Sequence, residues 1–259
     1  MEFSLGQIDS WLASVLWPFC RIAGLLTAMA IYGTRSVPAR VRVLLAIFIT
    51  VTAAPVLPAM PDVPLFSGAS FMIVAQELVI GLMLGFISRL LLEVFVVAGQ
   101  LVSLQTGLGF GSLVDPMNGA SVPLISQAFL IIATLLFLAF DGHLLFIELV
   151  VKSFHTVPVA ADSLARIDFL AVTEWGSWLF AGGLLASLAA VLALLMLNLA
   201  FGVLTRAAPQ LNLFVIGFPA TMVVGFILLW LLSGDLLRHF EREFGQAREF
   251  ACALIGSSC

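Results

Sequence analysis

Apolar stretches in this chain run longer than a bilayer is thick. Residues 71–105 and 174–205 each read as one continuous helix, with few charges inside. A helix of about 35 residues is roughly 50 Å long at 1.5 Å per residue. The hydrocarbon core is about 30 Å thick, and about 20 residues cross it. Shorter apolar runs lie at 11–32, 41–57 and 213–232, with a further long one at 122–154. The chain is 62% hydrophobic and only 10% charged, against roughly half and about a quarter for a soluble domain. The expected class is therefore all-α and membrane-associated, built of helical hairpins that over-run the bilayer.

Charge placement adds a direction. Arg35, Arg40 and Arg42 cluster in one short loop, which the positive-inside rule puts in the cytoplasm. If each apolar run crossed once, Arg238, Arg242 and Arg248 in the tail would fall outside, so the count does not close neatly. Either the rule is weakly obeyed, or some hairpins are buried in an assembly rather than in lipid. The acidic start, MEFSLGQIDSW, lacks the basic residues of a signal peptide, so the first helix is expected to be retained. Pro18 and Arg21 interrupt that helix. Arg21 is expected either to snorkel or to pair inside a bundle. Four prolines in PVLPAMPDVP predict an extended linker. Pro219 predicts a kink or break, and residues 235–250 read as an amphipathic surface helix. Gly81 and Gly85 form a GxxxG face for close helix contact. Arg89 and Glu93 have the spacing of an ion pair.

The long runs at 71–105 and 122–154 read as one tall antiparallel hairpin. Its connection is neither short nor polar. Gly107, Gly109 and Gly111 alternate with Leu108 and Phe110. Ser112, Leu113 and Val114 follow, and Asp115, Pro116, Met117 and Asn118 close the segment with turn chemistry. Glycine at every second position breaks a helix. Such a backbone finds no water in hydrocarbon, so it must be buried in protein or line a cavity. Bulky apolar side chains on a glycine-rich backbone can fill a hole without fixing one conformation. The expectation is a movable plug; the plainer reading is a packed re-entrant turn. A second turn, RAAPQLN, carries Arg206, Gln210, Leu211 and Asn212 at a hairpin tip, as solvated turn residues or as partner contacts.

Other classes find less support. His143, His155 and His239 lie on different elements, and HExxH, GxSxG and CxxC motifs are absent from the sequence. No enzyme, cofactor or metal is expected. The net charge of −4 offers no basic face for nucleic acid. Cys20, Cys252 and Cys259 show no paired spacing, so neither a disulfide framework nor a zinc site is expected. GLGFG has a superficial likeness to a selectivity filter, but nothing else resembles a filter helix. The alternative function is a multi-pass secondary transporter with a glycine-broken helix at its substrate site, although no internal repeat is evident.

GQLVSLQTGLGFGSLVDPMNGASVPLISQ (99–127) and NLAFGVLTRAAPQLNLFVIGFP (198–219) resemble the two signature stretches of the FliR family, the R component of the flagellar type III export gate. Injectisome homologues share the architecture, but the flagellar motifs fit better. The resemblance covers nearly the whole chain. It implies a FliP-like portion over residues 1–165 and a FliQ-like helical hairpin over 170–259, joined at the polar stretch 156–173. Implied partners are FliP-type and FliQ-type gate subunits, a FlhB-type subunit at the cytoplasmic entrance, membrane lipid and exported unfolded flagellar proteins. The implied location is the bacterial inner membrane, in the flagellar basal body. Residues 107–118 would project into the pore and help to close it. Residues 206–212 would lie at the tip of the Q-like hairpin, toward the cytoplasmic entrance.

Overall fold

The computed structural model describes residues 5–61, 63–110, 112–114, 121–207, 213–257 and 259. Seven α-helices follow one another among them: α1 Leu5–Ala28, α2 Ala39–Ala53, α3 Gly68–Thr106, α4 Leu124–Ala139, α5 Gly142–Thr156, α6 Phe169–Ala207 and α7 Leu213–Leu254. A two-stranded ribbon, β1 Ser112–Val114 with β2 Ser121–Pro123, joins α3 to α4. The class is all-α, as read from the sequence. Among the described residues, four helices are long and apolar enough to cross a membrane, or up to six if each of two broken pairs counts as one span.

Four expectations need correction. The run at 122–154 is two helices, because Asp141 takes a left-handed backbone (φ 53°) at an Asp-Gly pair. The chain restarts there with Leu144 and Leu145 donating to the Asp141 carbonyl. Pro18 lies within α1 without ending it. Pro219 likewise falls inside α7 without ending it; α7 instead bends by 59° between Leu231 and Ser233, and the expected tail helix, 235–250, lies beyond that bend. Cys252 and Cys259 are joined by a disulfide. The linker after α2 behaves as expected: a single 3₁₀ turn, Ala54–Val56, and then no regular structure as far as Pro61.

The chain forms two compact units. One comprises Met1–Leu90, Phe140–Glu174 and Gln246–Cys259. Its centre is the crossing of α1 with the first half of α3. A Cβ on Gly81 would run into the Arg21 carbonyl, and one on Gly24 would lie 2.5 Å from the Leu78 carbonyl oxygen. Both helices therefore touch backbone to backbone, which is the use expected of Gly81 and Gly85. Trp17, Ile22, Leu25, Leu26 and Leu84 are buried around the crossing. The Ser88 hydroxyl accepts from the Ala30 N–H at 3.1 Å just beyond it.

The other unit comprises Leu91–Ala139 and Trp175–Gly245. Here the second half of α3 packs with α4, α6 and α7. Gly99 lets α3 approach the Ser126 backbone, where a Cβ would lie 2.5 Å from the Ser126 Cα. Phe95 and Phe240 pack with ring centroids 5.7 Å apart, and Phe240 stacks on Phe244 at 5.9 Å. Val102, Ile125, Ala190 and Leu194 form a buried cluster at the end that carries the glycine segment.

Candidate functional site

α3 ends because Gly107 turns left-handed, at φ +77°. Only glycine takes that conformation without strain. Thr106, buried, steadies the last turn by donating its hydroxyl to the Ser103 carbonyl (3.1 Å) and accepting from the Leu108 N–H (3.4 Å). Leu108–Phe110 make one 3₁₀ turn, and the chain then enters the ribbon. Ser112 pairs with Pro123, Leu113 with Val122 and Val114 with Ser121, antiparallel. β2 leads directly into α4. Gly111 and residues 115–118 of the expected plug lie outside the described residues.

The root of this segment is held from two sides. On α6, Asn198 Nδ2 donates to the Gln105 carbonyl (3.0 Å) and to Gln105 Oε1 (3.3 Å). On α7, the Thr221 hydroxyl donates to the Thr106 carbonyl (3.5 Å), and Gly225 comes up against the Thr106 side chain. Phe218 lies beside Gly107, where a Cβ would meet its ring edge at 2.6 Å. Leu108 packs on the buried cluster of Val102, Ile125, Ala190 and Leu194. An apolar cleft of about 350 Å³ opens here, lined by Val102, Ile125, Phe129, Ala190, Phe226 and Leu229 among others. The two sequence stretches singled out above, 99–127 and 198–219, therefore meet at one place.

The glycines of the segment are not equivalent. Gly107 needs to be glycine for its φ and for Phe218. Gly109 does not: a Cβ there would make ordinary contact, 3.4 Å from Leu104 Cδ2 and 3.6 Å from the Ser103 carbonyl oxygen. Arg206 is exposed in the last turn of α6, a position that suits a cation at the negative end of a helix. Gln210, Leu211 and Asn212 lie outside the described residues.

A second polar constellation sits in the other unit and was only half visible in the sequence. Arg21 Nε donates to Glu77 Oε2 at 2.6 Å and Nη2 to Oε1 at 2.9 Å, a forked pair with both side chains fully buried. Nη1 donates to Ser153 Oγ (2.9 Å) and Nη2 also to the Val157 carbonyl (2.9 Å). The guanidinium lies 4.2 Å from the Phe154 ring centroid. One residue away, Gln76 donates to the Ala161 carbonyl (2.6 Å) and accepts from Ser163 Oγ and the Leu164 N–H (both 3.3 Å). Arg21 therefore pairs rather than snorkels. It ties α1, α3 and α5 together through four hydrogen bonds. Such an arrangement fixes register and has no access for a substrate. Among the described residues, no group of His, Cys, Asp or Glu could hold a metal ion.

The fold and the converging signature stretches define a helical membrane protein whose longest helices end at a glycine-rooted segment. The family of bacterial export proteins, family 1, matches residues 12–247 of the chain. The flagellar biosynthetic protein FliR of Escherichia coli K12 is 43% identical over 246 residues, covering 95% of this chain and 94% of that protein. FliR of Pectobacterium carotovorum is 38% identical over 255 residues, covering 98% and 97%. FliR of Bacillus subtilis is 29% identical over 229 residues, covering 87% and 88%. The chain belongs to the FliR family of bacterial export proteins.

Proposed function

We propose that this chain is the R-type subunit of the flagellar protein export gate, and that its glycine segment is the movable seal of the channel. Family membership makes it a flagellar export component, and the transporter alternative has no support beside it. What carries the finer reading is the root at Thr106–Leu108. A helix core far longer than a bilayer requires ends at one left-handed glycine, held by a handful of weak contacts from α6 and α7. The segment beyond it is anchored at its base, on α6 and α7. That is the mechanical requirement of a seal that swings aside without unfolding its helices.

The mechanism is steric. Phe110, Leu113 and Val114 block the channel, and Leu108, seated on the core, is the pivot. The chain contributes no catalysis. Energy enters through the proton motive force and an ATPase carried by other subunits.

Partner contact follows from what the helices leave uncovered. In α3 72% of the membrane-length window is buried, whereas in α6 only 17% is. Met196, Leu199 and Phe180 on α6 and Trp230 on α7 stand exposed. Apolar surface of that extent requires lipid or protein against it. FliP-type and FliQ-type subunits cover it, a FlhB-type subunit engages the tip around Arg206, and the assembly sits in the inner membrane at the flagellar basal body. The division into a FliP-like portion (1–165) and a FliQ-like hairpin (170–259) describes the evolutionary parts, while the two compact units interleave them.

Co-expression with its P-type and Q-type neighbours, followed by native mass spectrometry, tests the reading. A single copy of this chain in a larger hetero-oligomer is the expected result. A stable monomer or homo-oligomer overturns it.

A further inference from the structure

The feature that the export reading leaves unused is the disulfide between Cys252 and Cys259, whose Cα atoms are 5.9 Å apart. The local backbone prepares it. Gly256 is left-handed at φ +66°. Its N–H donates to the Ala253 carbonyl (3.0 Å), and the Ser257 N–H donates to the Cys252 carbonyl (2.9 Å). These two bonds are a Schellman motif, which ends the helix and turns the chain back over its last turn. Had the helix continued, residues seven apart would be separated by about 10 Å along its axis. The turn is what brings the two sulfurs together. Cys252 is buried and Cys259 exposed, so one sulfur is open to a partner and the other is held inside.

We propose that this pair is a stable clasp on the end of α7, formed by exchange with a disulfide-bearing dithiol oxidase, and that it fixes the end of α7 on the periplasmic face of the inner membrane. The exposed Cys259 thiolate attacks the oxidase disulfide, forming a mixed disulfide and releasing one oxidase thiolate. Cys252, deprotonated, then attacks the Cys259 sulfur and displaces the second. The oxidase disulfide is reduced to a dithiol, the two cysteines lose two electrons and two protons, and the balance is complete. Such bonds persist in the periplasm, whereas cytoplasmic thiols are kept reduced. Of the tail arginines, Arg238 and Arg242 have acidic partners. Arg242 bonds the buried Glu243 at 2.7 and 3.1 Å, and Arg238 pairs with Asp235 at 3.7 Å.

The inference rests on the inner-membrane placement above but not on the seal. Its test reads thiols, not export or motility, so the two can fail separately. Cells making the full chain with its gate neighbours are lysed in denaturant with N-ethylmaleimide. The protein is then reduced and tagged with a polyethylene-glycol maleimide. The free Cys20 is blocked in the first step. Two tags after reduction, none without reduction, and loss of both in Cys259→Ser are expected. In cells lacking the periplasmic dithiol oxidase, both tags should be lost. No tag after reduction in normal cells overturns the clasp. A tag retained in Cys259→Ser makes the bond intermolecular and overturns it too. Two tags undiminished without the oxidase overturn the periplasmic placement.

Discussion

The crossing of α1 with α3 and the root of the glycine segment answer the same problem, packing very apolar helices, in opposite ways. In the unit around α1, glycines bring backbone onto backbone, and one buried Arg–Glu fork with its serine, carbonyl and aromatic partners sets the register of three helices. At the root of the glycine segment, Gly107 abuts a side chain, Phe218, and the polar contacts from α6 and α7 are longer, at 3.0–3.5 Å. A carbonyl cannot move out of the way of an added Cβ, whereas a ring edge can rotate. The first region is built to hold one arrangement. The second is held at its root by longer bonds and by a side chain that can rotate.

The comparison can be broken most sharply at the fork. Removing one partner of a buried ion pair costs about 3–5 kcal/mol. Arg21→Ala or Glu77→Ala should therefore abolish accumulation of the assembled gate, measured as yield of purified hetero-oligomer. The double replacement Arg21→Met/Glu77→Met should recover much of that yield, since no charge is left unpaired. A double variant no better than either single one would show that the fork does more than fix register. Next in size is Gly81→Val, which drives α1 from α3. Overpacking of this kind costs about 1–3 kcal/mol, and more where backbone must shift. Thermal stability of the assembled complex should fall accordingly.

At the root the effects are smaller and should appear in function before stability. Gly107→Ala forces a residue with a Cβ into a left-handed backbone beside Phe218, a strain of about 1–3 kcal/mol. Secretion of flagellar proteins should drop while gate yield stays close to normal. Adding Phe218→Ala should restore only part of it, because the backbone strain remains. Gly109→Ala should be nearly silent, within about 0.5 kcal/mol, in both yield and secretion. Equal effects at positions 107 and 109 would remove the distinction between a root glycine and a spacer glycine.

Much of this was legible in the residues. The long helices read as 71–105 and 174–205 run over Gly68–Thr106 and Phe169–Ala207, because sustained hydropathy without breakers leaves few alternatives. The GxxxG face on α3 met a partner helix as its spacing required. The glycine segment stood out by composition, yet composition could not rank its glycines, since that depends on Phe218 more than a hundred residues away. The Arg21–Glu77 fork joins positions 56 apart, and two lone intramembrane charges carry no mark of their partner. The break at Asp141 had a signal, an Asp-Gly pair, that the surrounding apolar run masked. Pro18 and Pro219 end neither helix, and α7 bends further on, between Leu231 and Ser233. The disulfide was hidden because its spacing makes sense only once Gly256 has reversed the chain.

The central claim is that the segment beyond Phe110 closes the channel. Its most direct test is ion leak through membranes carrying the complete gate, with residues 111–118 deleted and the root at Thr106–Leu108 left intact. The account predicts normal gate yield and a marked rise in passive conductance to small ions. A gate that assembles, secretes and stays as tight as the unaltered one would contradict it.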